Sequence, residues 1–100
     1  MILSSLEEEK RKHYKLLESI DLIITSLNKS KNNIEELNNI LEKSINIDDY
    51  PIIDNEYKNN LNKVEDIINT LQKIIKPSIE SKINFINGEI EIIEKNNIRA

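Results

Sequence analysis

The sequence predicts an all-α fold, an antiparallel two-helix hairpin of coiled-coil type. Three observations predict it. Apolar residues recur at helical spacing along two long stretches. One short acidic segment with a proline separates those stretches. One Gly and two Pro among 100 residues leave few other places to turn. Sandwich and α/β folds need many turns, so both are excluded. The length fits one domain spanning 1–100.

The first helix is expected over about 5–44. Ser4 and Ser5 are each followed three residues later by an acid, Glu7 and Glu8, the pattern of a capping box. Glu7–Arg11 and Glu8–Lys12 then pair one turn apart on the solvent side. One position repeats every seven residues: Leu6, His13, Ile20, Leu27, Ile34, Leu41. Leu16, Ile23 and Leu37 read as its companion row, continued by Ser30 and Ser44. At 1.5 Å per residue the rod is roughly 60 Å long.

The segment "INIDDYPIIDNEY", Ile45 to Tyr57, reads as the turn, over about 45–53. Pro51 suits the first helical position, and Tyr50 before it suits a cap. Acids there favour the positive end of the helix dipole. A calcium loop needs oxygens at alternate positions and a glycine, and neither is present.

The second helix is expected over about 54–96. Its stripe runs Tyr57, Leu61, Val64, Ile68, Leu71, Ile75. It then slips by four instead of three to Ile79 and resumes as Ile83, Ile86, Ile90, Ile93. Such a slip is a stutter, which locally unwinds a coiled coil. Pro77 lies inside it, so a kink or short break is expected near Lys76–Ser78. Within "INFINGEIEI", Asn87-Gly88 between alternating apolar residues is also a β-hairpin signal. No other strand exists to pair with such a hairpin, which favours helix. Gly88 then costs about 1 kcal/mol relative to alanine.

Folding about residue 50 brings apolar residue to apolar residue. The expected core is Ile20, Ile23, Leu27, Ile34, Ile68, Leu71, Ile75 and Ile83. Adjacent apolar pairs recur, among them Leu16–Leu17, Ile23–Ile24, Ile67–Ile68 and Ile74–Ile75. Adjacent residues point about 100° apart, so these pairs widen the apolar face beyond one seam. Leu17, Ile24, Ile67 and Ile74 are the expected partner-facing residues. Burying each such side chain is worth roughly 1.5–3 kcal/mol, which favours a second helical partner.

The net charge of −4 argues against nucleic acid and anionic membrane surfaces. No cysteine is present to form a disulfide. The start "MILSSLEEEK" is not a conventional signal peptide, and no apolar run approaches ~18 residues. A soluble, cytoplasmic chain is expected, without membrane insertion. His13 is the only histidine and sits on the heptad row, where a polar group can set register. No metal-ligand cluster, phosphate loop or nucleophile elbow occurs. The reading is non-enzymatic, with no cofactor and no metal.

A hairpin of this length, mildly acidic and without cysteine, resembles the ESX-like (Trp-x-Gly) helical proteins of type VII secretion. Within them it looks most like the YwqH-like accessory partners of LXG toxins, with "SKINFINGEIEIIEK" similar to their last helix. "DDYPI", with Tyr50, stands where the family has its Trp-x-Gly turn. The family's export signal is an aromatic followed four residues later by an acid. Phe85 and Glu89 match that spacing, as do Tyr50–Asp54 and Tyr14–Glu18. The resemblance implies an accessory or targeting chaperone that pairs with the N-terminal helices of an LXG-type toxin. It also implies export by a route independent of a signal peptide, with Phe85 and Glu89 as the targeting pair. The alternative is a self-associating module in which two hairpins form a homodimeric four-helix bundle.

Overall fold

The computed structural model describes residues 2–99, and the side chains of 2–97. Helix α1 spans Ile2–Ser44. A 3-10 turn follows at Ile47–Asp49, then α2 at Pro51–Thr70, a π turn at Leu71–Ile75, and α3 at Lys76–Arg99. No strand is present among the described residues, and Asn87-Gly88 lie within α3. The molecule measures 77 × 16 × 15 Å. Lys31 bridges Glu65 and Asp21 bridges Lys76. Moving back along α1 from 31 to 21 therefore moves forward along the second rod from 65 to 76, so the rods are antiparallel. The pivot lies near residue 48, inside the 3-10 turn, rather than at 50.

The turn is closed by its own backbone. Asn46 caps it, its Oδ1 accepting the Asp48 N–H at 3.3 Å. Asp49 N–H donates to the Asn46 carbonyl and Tyr50 N–H to the Ile47 carbonyl, both at 3.0 Å. Pro51 then opens α2 at the position where a missing N–H costs nothing. Helix α1 begins at Ile2, so Ser4 and Ser5 lie inside its first turn and do not cap it.

The expected break at Lys76–Ser78 is replaced by the π turn one step earlier. The stripe from Tyr57 to Ile93 contains one residue more than whole heptads. A π turn holds one extra residue, which lets the apolar positions on both sides face α1. The Lys76 N–H donates to the Leu71 carbonyl, five residues back. Pro77 follows at the second position of α3, where it has no N–H to offer.

The core is a single seam. Ile20, Ile24 and Ile68 are buried together, with Leu27, Val64, Leu71 and Ile79 packed against them. Ile83, Ile86 and Ile90 are buried nearer the open end. Two expected core residues move outward. Ile23 is 49% exposed, because the row that closes against the second rod contains Ile24 instead. Ile75 is 38% exposed, at the end of the π turn.

Candidate interaction surface

The burial pattern fixes which rows of α1 meet the second rod. One is the expected row, Leu6 to Leu41. The other is Leu3, Lys10, Leu17, Ile24, Lys31, Asn38 and Ile45, all buried or half-buried. The partner-facing assignment is corrected accordingly for two residues: Ile24 is 8% exposed inside the seam, and Leu17 is half-buried on the same row. Ile67 and Ile74 lie outside the seam and are exposed.

The row read from sequence as companion to the heptad stripe, Leu16, Ile23, Ser30, Leu37 and Ser44, runs along one open flank of the hairpin. The matching row of the second rod is Ile53, Asn60, Ile67 and Ile74. In an antiparallel pair these rows border the same side of the seam. The structure brings them together near the turn, where Ile34, Leu37, Leu41, Ile52, Ile53 and Tyr57, with Glu56 and Asn60, line a cleft of about 320 Å³. Neither row carries a charge over these stretches, in a chain with 32% charged residues. Next to the α1 row stand Ser19, Ser26, Asn33 and Ile40, also uncharged. Together the two rows of α1 repeat at spacings of three and four from Leu16 to Ser44. That is a second heptad seam on the same helix.

The opposite flank is polar. There Lys31 Nζ lies 3.3 Å from Glu65 and Lys76 Nζ 2.9 Å from Asp21. The hydrogen bond to Asp21 holds the Lys76 ammonium above its usual pKa. Tyr57 is half-buried in the seam, and its phenol is pushed above its usual value by burial, then by Glu35, Glu42 and Glu65. The hairpin is thus two-sided, with one flank bridged by charge and the other bordered by two rows that carry none.

Other sequence candidates are placed plainly. His13 is half-buried on its heptad row, its Nδ1 donating to the Glu9 carbonyl at 2.7 Å. Among the described residues no three acids or histidines come together as a metal site would need. No described helix is long and apolar enough to cross a membrane. Phe85 is 60% exposed, with Lys82 Nζ 5.1 Å from its ring centre. Glu89 is exposed one turn further along α3. Tyr14 and Glu18 are exposed as well, whereas Asp54 is half-buried and holds Lys58 at 2.9 Å. No protein-family model, curated protein or solved structure matches the chain.

Proposed function

We propose that this chain is a non-enzymatic docking module that binds another helical protein along its uncharged flank. The observation that carries the reading is the second seam of α1, Leu16 to Ser44, facing outward beside Ile53, Ile67 and Ile74. A surface helix with one partner has one apolar stripe and charges elsewhere. Here the charges of α1 avoid a second stripe, as they do on a helix with two neighbours. The occupant suggested by the resemblance to ESX-like proteins is the N-terminal helical region of an LXG-type toxin. In that reading the chain is an accessory or targeting factor. Phe85 and Glu89, exposed at one helical turn's spacing, are its export determinant.

Co-expression with such a toxin region, followed by purification through a tag on the toxin, tests the first part. The complex is expected with the native chain and lost with Ile23→Glu plus Ile67→Glu. Recovery of the double variant at native yield removes the docking role. Phe85→Ala with Glu89→Ala is expected to leave the complex intact and abolish export of the toxin. Unchanged export removes the targeting role alone.

A further inference from the structure

We propose that Asn87–Gly88 is a self-modification site, at which Asn87 turns into aspartate and completes a third bridge between the rods, to Lys10. The site belongs to the polar flank, apart from the docking rows. The dipeptide that reads as a β-hairpin signal in the sequence lies inside α3. Neither the backbone nor the packing calls for its glycine. Gly88 has no positive φ, and a methyl group in place of its hydrogen would meet nothing within 4 Å. Glycine in mid-helix is destabilising relative to alanine. What glycine does provide is reactivity, because no side chain shields its main-chain nitrogen. Asn87 is the only asparagine in the sequence that precedes a glycine.

The register of the rods decides what an acid at position 87 would meet. Lys31 bridges Glu65 and Asp21 bridges Lys76, so ten residues back along α1 match eleven forward along the second rod. The eleventh is the extra residue of the π turn. Three heptads back from Lys31 stands Lys10, and three heptads plus that residue forward from Glu65 stands Asn87. The buried row agrees, since Ile83, Ile86 and Ile90 repeat the positions of Leu61, Val64 and Ile68 at the same offset. Lys10 and Asn87 therefore stand across the seam as Lys31 and Glu65 do, about 32 Å nearer the open end. Both are half-buried, and neither makes a side-chain hydrogen bond or ion pair among the described residues. The part missing from a bridge is the charge on residue 87.

The conversion needs water alone. The Gly88 main-chain nitrogen attacks Cγ of the Asn87 side chain and gives up its proton. The new N–Cγ bond closes a five-membered imide as the Cγ–Nδ2 bond breaks, and ammonia leaves with that proton. Water then opens the ring at Cγ to give aspartate, or at the main-chain carbonyl to give isoaspartate, and the nitrogen regains a proton. In α3 the Gly88 N–H is held by the Asn84 carbonyl, four residues back, so the attack requires that turn to open. Reclosure then sorts the products. Aspartate keeps the length of the main chain and can rebuild α3 beside Lys10. Isoaspartate lengthens the main chain by one carbon and cannot continue the helix.

Mass spectrometry of peptides from the full chain, aged at neutral pH either folded or in urea, tests the site. Acid is expected at position 87 ahead of every other asparagine. The folded chain is expected to convert at least about tenfold more slowly than the chain in urea, since each opening costs free energy. Gly88→Ala, for which the structure has room, is expected to slow conversion in urea, where the helix plays no part. Asn87→Asp stands for the product, and its melting midpoint is expected about 2–4 °C above native. In a Lys10→Gln background that gain is expected to vanish, with helicity by circular dichroism unchanged. A folded chain without acid at 87, when the unfolded chain converts, overturns the site, as does a folded fraction that holds isoaspartate alone. An Asn87→Asp chain no more stable than native, or equally stabilised in the Lys10→Gln background, overturns the bridge.

Discussion

At the scale of single residues, the adjacent isoleucines of α1 separate two kinds of burial. Ile24 is covered by the second rod, and Ile23 is half open to solvent. Truncating a buried isoleucine removes its transfer energy and leaves a cavity, so Ile24→Ala is expected to lower stability by about 2–4 kcal/mol in urea unfolding. Ile23→Ala is expected to shift it by less than about 1 kcal/mol in dilute solution. Equal losses at the two positions would mean that the seam is misassigned. Tyr57 and Lys76 make the fold sensitive to alkaline pH. Both groups have folded pKa values above their ordinary 10.0 and 10.5, so the folded chain holds both protons more tightly. Below about pH 10 both states are protonated and the contribution is complete; it is lost as pH rises through the folded values. The melting midpoint is expected to fall above about pH 10, and to fall less steeply in Tyr57→Phe. A parallel fall in that variant would clear the phenol of any part in it.

At the scale of elements, the rods and their turn were legible because heptad spacing, Pro51 and the scarcity of glycine all point one way. The choice of seam on α1 was not. Two rows flank the Leu6–Leu41 row, and each offers four large apolar residues. One holds Leu3, Leu17, Ile24 and Ile45, and the other Ile2, Leu16, Ile23 and Leu37. Apolar count cannot decide between them. The row that closes holds Lys31, which pairs with Glu65, and lies beside Asp21, which pairs with Lys76. Long-range partners of this kind are invisible in a single helix's pattern. The near tie is itself why α1 presents a second seam.

The π turn is the other element that the spacing located only roughly. Its cause is the extra residue in the stripe, and its consequence is a place where Pro77 fits. Deleting Gln72 restores whole heptads but puts Pro77 into regular α-helix, where its ring crowds a carbonyl and a hydrogen bond is lost. The deletion is expected to cost about 3 kcal/mol with proline present and under about 1 kcal/mol with Pro77→Ala. Equal costs in the two backgrounds would separate the π turn from the proline.

At the scale of the whole molecule, a rod 77 Å long and 16 Å wide has little interior. Only Ile20, Ile24, Ile68, Ile83, Ile86 and Ile90 are buried among the described residues, while many large apolar side chains stay open. Folding must offset roughly 1–2 kcal/mol of backbone entropy for every ordered residue. One narrow seam does this poorly, so covering the uncharged flank should contribute visibly to stability. Association then appears as linkage: any partner that binds only the folded state raises the melting midpoint as its concentration rises. For the native chain, the midpoint is expected to climb with the concentration of the LXG-type helical region. Ile67→Glu places a charge in the middle of the flank, outside the seam. It is expected to leave the midpoint in dilute solution nearly unchanged and to abolish its climb. Thermal scans by circular dichroism over a wide range of concentration measure both quantities. A concentration-independent midpoint for the native chain would mean that the seam alone suffices. The second heptad row of α1 would then owe its lack of charge to something other than a neighbouring helix.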